Sequence, residues 1–152
     1  MPNLTDMSAT MKQYFACMDS ADFVTSAAMF AADAVYLRPP YVPGQAAFAS
    51  SGTERVEGLP AISQFWANRG KRNTHHVITI ESITGNEWFA EGEVSVDDSE
   101  TRMFLTHVTF NEQGQIERFV AMVSMPNNAH YVASKHGALG LMKVLARELA
   151  TD

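Results

Sequence analysis

Four apolar or β-branched runs with a period of two constrain the fold of this 152-residue chain more than any other feature. They cover roughly residues 75–84, 87–96, 101–110 and 115–124, and short polar turns such as Gly85-Asn86 separate them. Alternation of this kind is typical of half-buried β-strands, and short turns can join only antiparallel neighbours. The sequence therefore predicts a four-stranded antiparallel meander.

The first half of the chain shows the three- and four-residue spacing of amphipathic helices. Apolar residues recur in this way over 7–18 and 23–30, and a third helix presents Ile62, Phe65, Trp66 and Arg69 on one face. Residues 34–37 are predicted to form a short strand, and a loop rich in Pro, Gly, Ala and Ser follows from Arg38 to about Gly52. A last helix is expected over residues 131–149.

This order of elements predicts an α+β fold in which helices lie on the concave face of a curved antiparallel sheet. We expect one domain over residues 1–125 and a C-terminal helical extension over residues 126–152. A bent sheet covered in this way encloses a mostly apolar pocket, which is where small molecules bind. A small apolar molecule is therefore the expected partner.

Charge and composition argue against several other classes of protein. The net charge is −6 and no stripe of Lys and Arg is present, so nucleic acid is not an expected partner. No run approaches the ~20 apolar residues of a membrane span, and the single cysteine, Cys17, suits a reducing compartment, so a cytoplasmic protein without membrane contact is expected. Neither His-x-His nor Glu-x-x-His spacing occurs, and neither a metal nor another cofactor is expected.

Several segments carry a resemblance to a known superfamily. They are Gln13-Tyr14-Phe15-Ala16 with Asp19 and Asp22, Met29 to Val35, Val56-Glu57-Gly58 with Phe65-Trp66, and Thr106 to Asn111. Over roughly residues 8–124 the chain resembles the nuclear-transport-factor-2-like superfamily, which includes ketosteroid isomerase, scytalone dehydratase and the SnoaL-like polyketide cyclases. The resemblance implies a cone-shaped α+β barrel. It also implies a homodimer formed through the outer face of the sheet, with contributions from Trp88, Val94, Phe104 and Met122.

The dehydratase and SnoaL-like relatives pair an aspartate at the end of helix one with a histidine that opens the first long strand. Asp19 and the pair His75-His76 occupy those places, so the resemblance implies an aspartate that orients an imidazole as general base. Adjacent strand residues point to opposite faces, and only one histidine can enter the pocket. The spacing to Thr79 slightly favours His75. Alternatively, Asp19 caps the second helix.

Ketosteroid isomerase offers a different set of groups: a carboxylate base, a helix-one tyrosine and a protonated acid. Tyr14 matches the tyrosine, but the base and acid positions fall near Arg38 and Thr106. We therefore do not expect that activity. Tyr14 is predicted either to donate a hydrogen bond to the substrate or to form a wall of the pocket. Arg38 is predicted to hold an anionic group or to pair with a surface acid.

The other predicted substrate-binding residues are Phe15, Phe65, Trp66 and His107. His107 is expected to face either the pocket or the outer surface of the sheet. The resulting functional hypothesis is a cofactor-free lyase, dehydratase, isomerase or cyclase acting by general acid/base catalysis on a small apolar or polyketide-like substrate. The alternative is a non-catalytic small-molecule-binding or assembly module of the same fold.

The C-terminal segment from Tyr131 to Lys143 resembles the active-site helix of short-chain dehydrogenases, with Tyr131 and Lys135 in the Tyr-x-x-x-Lys spacing. The chain has neither the glycine-rich turn after a first strand nor a serine about a dozen residues before the tyrosine. Dehydrogenase activity is therefore not expected. We interpret this segment as a helix that packs over the pocket mouth or against another subunit.

Overall fold

The computed structural model describes residues 4–40, 53–96 and 101–123. Its elements are α1 (Leu4–Ser20), α2 (Phe23–Ala28), β1 (Phe30–Arg38), β2 (Glu54–Glu57), α3 (Leu59–Arg69), β3 (Thr74–Thr84), β4 (Glu87–Val96), β5 (Arg102–Phe110) and β6 (Ile116–Val123). The predicted C-terminal helix, with its dehydrogenase-like residues, lies outside the described residues, as does most of the predicted loop.

All six strands belong to one curved sheet with the order β2-β1-β6-β5-β4-β3. The meander from β3 to β6 is antiparallel throughout, which confirms the prediction from the period of two. In contrast, β1 runs parallel to β6, so the sheet is mixed rather than wholly antiparallel. Parallel pairing needs a long connection, and most of the chain lies between these two strands.

The region before the meander departs from the prediction in two places. Strand β1 begins at Phe30, which had the spacing of a helical residue, and α2 ends two residues earlier. Phe30 is buried against Trp66 and Tyr36, and this tertiary packing overrides its helical spacing. The short strand β2 was not predicted, because four residues with two glutamates give too little alternation; it pairs antiparallel with the end of β1.

The core lies between the inward face of the sheet and the helices. Strand alternation turns Trp88, Val94 and Phe104 toward this core, where all three are buried. Their prediction as contributors to an outer dimer surface was therefore wrong. Of the four residues named for that surface, only Met122 occupies an outward position, opposite Leu105.

Glu81 attaches α1 to the sheet. Its carboxylate accepts hydrogen bonds from Lys12 at 2.8 Å, from Ser8 at 2.9 Å and from the indole N–H of Trp88 at 2.8 Å. The charged partner lowers the pKa of Glu81 most, and the bonds from Trp88 and Ser8 add to that effect against the opposing effect of burial. Helix α1 is thereby fixed over β3, the strand that carries the candidate site.

Gly92 leaves room for the ring of Phe104 to cross strand β4. A Cβ atom at this position would lie 2.4 Å from Cζ of Phe104 and 2.4 Å from the backbone oxygen of Val77. Both separations are far inside van der Waals contact, and the backbone oxygen has little freedom to move. The absence of a side chain at Gly92 thus allows Phe104 to lie against the core.

We expect Gly92→Ala to lower the free energy of unfolding by about 1–3 kcal/mol, the usual cost of overpacking a core. Urea denaturation followed by circular dichroism measures the change. Glu93→Ala is the matched control, because Glu93 is exposed on the same strand and its truncation should change stability by no more than about 0.5 kcal/mol. Equal stability of Gly92→Ala and the parent protein would contradict the packing described above.

Candidate functional site

The last turn of α1 and the first residues of β3 bring Asp19 and His76 together. Oδ1 of Asp19 lies 2.5 Å from Nδ1 of the His76 ring, and Oδ2 accepts a hydrogen bond of 2.9 Å from the backbone N–H of His76. Both carboxylate oxygens are used, so the position of the imidazole relative to α1 is fixed by two contacts. The two side chains are half-buried.

Burial acts to raise the pKa of Asp19, but hydrogen bonds from the His76 side chain and backbone, the attraction of His76 and a hydrogen bond from Thr74 outweigh it and lower the pKa. Asp19 is thus ionised at neutral pH. An ionised carboxylate accepts but does not donate, so Nδ1 of His76 carries the hydrogen in this contact. The other ring nitrogen, Nε2, then holds a lone pair in neutral imidazole and is able to accept a proton.

The slight preference for His75 was wrong. His75 is exposed and lies opposite Ser95, whereas His76 lies opposite the buried Val94 on the inward face. The preference rested on the spacing from His75 to Thr79, but both of these residues are exposed, so that spacing does not identify a residue of the inward face.

Asp19 does not cap the second helix. The N-cap of α2 is Asp22, whose side chain accepts a hydrogen bond of 3.1 Å from the backbone N–H of Thr25. The alternative role of Asp19 as the cap of the second helix is therefore excluded, and its carboxylate contacts His76 instead.

Aromatic rings surround the imidazole. The ring of Phe15 lies 4.9 Å from that of His76, and the ring of Phe104 lies 5.8 Å from it. Phe15 is in turn 5.3 Å from the ring of its neighbour Tyr14. The histidine therefore has a carboxylate on one ring nitrogen and apolar surface beside the ring.

Tyr14 and Tyr36 form a second polar group on the same side of the sheet. Their hydroxyl oxygens are 3.5 Å apart, and both side chains are buried. Burial raises the pKa of Tyr14, and the neighbouring Tyr36 raises it further, while Arg69 and Arg38 lower it by less. Tyr14 is thus protonated at neutral pH and able to donate a hydrogen bond. Tyr36 was not predicted as a site residue, although it shares the inward face of β1 with Ala34.

Two arginines lie beside these tyrosines. The guanidinium carbon of Arg38 is 4.4 Å from the centre of the Phe65 ring, and its Nε donates to the Pro39 carbonyl at 2.8 Å. Arg69 occupies the last turn of α3, where burial lowers its pKa and the hydroxyls of Tyr36 and Tyr14 partly oppose that effect. Arg69 was not predicted either. The available signal was a cation continuing the apolar stripe of α3.

His107 is not brought together with the other predicted residues. It lies on the outer face of the sheet, where its ring stacks on Phe89 with centroids 4.3 Å apart and an angle of 7° between planes. Its Nε2 is 3.6 Å from a carboxylate oxygen of Glu87. Of the two orientations predicted for His107, the structure therefore has the outward one. From the outer face, His107 cannot bind a substrate beside His76.

Within the described part of the chain, three further features bear on function: the cysteine, the possible metal ligands and the length of the helices. Burial raises the pKa of the Cys17 thiol, which keeps it protonated and poorly nucleophilic. Within residues 4–40, 53–96 and 101–123, no three His, Cys, Asp or Glu side chains come together as a possible metal-binding group. None of the helices described in these ranges is long and apolar enough to cross a membrane.

A curved mixed sheet with helices against its inward face and polar side chains between them defines a nuclear-transport-factor-2-like fold. The model of the nuclear transport factor 2 (NTF2) domain matches residues 7–124, and the chain belongs to that family. This confirms the resemblance and the fold class predicted from the sequence. No curated protein matches the chain in sequence.

Solved structures agree on the fold. A protein from Kribbella flavida DSM 17836, described as a candidate ketosteroid isomerase, is 17% identical with a TM-score of 0.60, covering 83% of this chain and 87% of its own. A candidate polyketide cyclase from Sinorhizobium meliloti is 19% identical, with a TM-score of 0.57. The match covers 75% of this chain and 94% of the cyclase chain. A chain in the yeast complex of the deubiquitinase Ubp3 with its cofactor Bre5 is 15% identical, with a TM-score of 0.67. The match covers 82% of this chain and 100% of the yeast chain. At these identities the likeness is one of fold.

Proposed function

We propose that this protein is a cofactor-free enzyme that abstracts a proton from a carbon atom of a small apolar or polyketide-like substrate, as an isomerase, a lyase or dehydratase, or a cyclase. The observation that carries the proposal is the contact of 2.5 Å between Asp19 and Nδ1 of His76, which leaves Nε2 free to act as base. A positioned imidazole of this kind typically contributes roughly 10²–10⁴-fold to a rate.

In the proposed reaction, Nε2 of His76 takes a proton from a carbon atom next to a carbonyl group. The electron pair of the broken C–H bond forms an enolate, and the charge of Asp19 stabilises the imidazolium ion. The hydroxyl of Tyr14 donates a hydrogen bond to the developing enolate oxygen. In a β,γ-unsaturated ketone the enolate is conjugated with the double bond, and the imidazolium returns its proton to the γ carbon, which completes an isomerisation. In a β-hydroxy ketone the enolate electrons form a double bond to the β carbon and expel the hydroxyl group, which takes the proton and leaves as water.

A non-catalytic binding or assembly module of the same fold is the second candidate. Its support is the outer face of the sheet, where Val77, Ile80 and Met103 are exposed, Ile80 to 62%. Apolar side chains grouped on one exposed face are typical of a protein contact. A homodimer formed through this face is the simplest form of such a module, and it is also compatible with an enzyme.

Hydrogen–deuterium exchange distinguishes the two candidates without knowledge of the natural substrate. The probe is 2-tetralone, an apolar ketone with acidic C–H groups, dissolved in D₂O with the protein and followed by proton NMR. We expect exchange above the buffer rate, and we expect His76→Gln to lower the enzyme-dependent rate by about 10²–10⁴-fold. His75→Gln is the matched control, because His75 is the adjacent residue on the exposed face.

The proposal of a proton-abstracting enzyme fails if the two variants exchange at the same rate as the parent protein. It also fails if 2-tetralone binds, as seen in shifts of its NMR signals, but exchanges no faster than in buffer alone. The second of these results would favour the binding module.

A further inference from the structure

Five residues that can donate hydrogen bonds lie together between α1, α3 and β1. The rings of Tyr14 and Tyr36 lie 6.3 Å and 6.0 Å from that of Trp66, and their hydroxyl oxygens are 3.5 Å apart. Arg69 follows Trp66 by one turn on α3, and the guanidinium carbon of Arg38 lies 4.4 Å from the ring of the adjacent Phe65. We call Tyr14, Tyr36, Arg38, Trp66 and Arg69 the donor cluster. An arginine cannot accept a hydrogen bond, and an indole N–H only donates.

One donor of the cluster is buried without a partner. The side chain of Trp66 is 0% exposed, and its Nε1 has no hydrogen-bond partner among the described residues. An unpaired buried N–H is rare in native proteins because water has been removed and nothing replaces it. An acceptor supplied by a ligand is one way in which such a group becomes paired.

Among the described residues, no carboxylate forms an ion pair with Arg38 or Arg69. Glu54 lies opposite Arg38 in the β1–β2 register, but no carboxylate of the described residues is within 4.0 Å of a nitrogen of Arg38 or Arg69. Arg69 is partly buried, and holding a cation partly out of water without a carboxylate partner costs free energy. Arg69 lies three residues after Trp66 on α3, so its guanidinium group and the unpaired indole N–H belong to the same side of the helix and together favour the approach of an anion.

The donor cluster and the Asp19–His76 pair are neighbours. Tyr14 and Phe15 are consecutive on α1, and Phe15 packs against His76 at 4.9 Å while Tyr14 belongs to the cluster. A ligand anchored at the cluster could therefore extend along Phe15 toward the imidazole. We propose that Trp66, Tyr36, Arg38 and Arg69 of the donor cluster bind a carboxylate group of the substrate, with Arg69 as the main determinant of specificity, while the hydroxyl of Tyr14 is left to the enolate oxygen. This inference rests on the proposed function and narrows its substrates to aromatic or polyketide-like acids.

Binding of two probes of equal shape tests the inference. The probes are 2-naphthoate and its neutral counterpart 2-naphthamide, titrated separately into the full chain by isothermal calorimetry. Hydrogen bonds to charged groups predict that the carboxylate binds roughly tenfold to a hundredfold more tightly than the amide. Arg69→Gln is expected to bring the ratio close to one. Arg69→Lys keeps the charge but not the fork of donors, and should retain part of the preference.

Arg55→Gln is the matched control, because Arg55 is exposed and paired with Glu57 on strand β2. It should leave the ratio unchanged. The inference is overturned if the parent protein shows no preference for 2-naphthoate, including no detectable binding of it, or if both Arg69 variants keep the full preference. The assay measures binding alone, so a failure of deuterium exchange in 2-tetralone does not affect it, and the two proposals can fail separately.

Discussion

Replacing Asp19 with asparagine is expected to lower the enzyme-dependent deuterium exchange of 2-tetralone by about 10²–10⁴-fold. The carboxylate offers two acceptors, one to the ring of His76 and one to its backbone N–H. An amide has one acceptor, and its NH₂ group would face a donor. If the amide oxygen keeps the backbone contact, the NH₂ group favours the ring tautomer with hydrogen on Nε2, which cannot act as base.

Loss of charge acts in the same direction. Asp19 is ionised at neutral pH because hydrogen bonds from His76 and Thr74 lower its pKa despite burial. Its negative charge stabilises the imidazolium ion that forms when His76 takes a proton, and a neutral amide does not. Since the pKa of Asp19 lies below the ordinary value, protonation of Asp19 should not limit exchange at any pH above about 4.

Asp22→Asn is the matched control for this variant. Asp22 lies three residues further along the chain, is exposed and caps α2 through Thr25, a role that asparagine fills equally well. Exchange rates by proton NMR and unfolding by urea should be measured for both variants. Normal exchange in Asp19→Asn, with intact folding, would show that the Asp19–His76 contact is structural.

The sequence was sufficient for the meander because its signal is long. Strands β3 to β6 each alternate over eight or more residues, and polar turns mark their ends. Strand β2 has only four residues, and the parallel pairing of β1 with β6 joins segments about eighty residues apart. Neither feature leaves a local pattern, so neither could be read from the chain.

The candidate site divides in the same way. Asp19 and the histidine pair were both predicted from a resemblance to relatives. The choice between His75 and His76 depended on the pairing of β3 with β4, which places His76 opposite the buried Val94 and which no local pattern marks. Arg69 and Tyr36 come from different elements, α3 and β1, which are brought side by side by the packing of Tyr36 against Trp66. A polar residue on an apolar helical stripe, as at Arg69, is a usable sequence signal for a side chain that faces other elements.

Trp66 connects the stability of the fold with the donor cluster. Its ring packs against four aromatic residues from α1, α2 and β1, at centroid distances from 5.4 to 6.3 Å; they are Tyr14, Phe23, Phe30 and Tyr36. We expect Trp66→Ala to lower the free energy of unfolding by about 3–5 kcal/mol, because truncation removes these contacts and leaves a cavity between three elements. Urea denaturation should show a lower midpoint with an unchanged slope.

Trp66→Phe separates the ring from its N–H group. It retains much of the apolar volume and loses an N–H that has no partner among the described residues, so its cost should be well below that of Trp66→Ala. Ala67→Ser, on the exposed side of the same helix, is the control for α3 and should shift stability by no more than about 0.5 kcal/mol. Equal losses in Trp66→Phe and Trp66→Ala would mean that the N–H is paired in solution, and would remove one of the observations that favour an anion at the donor cluster.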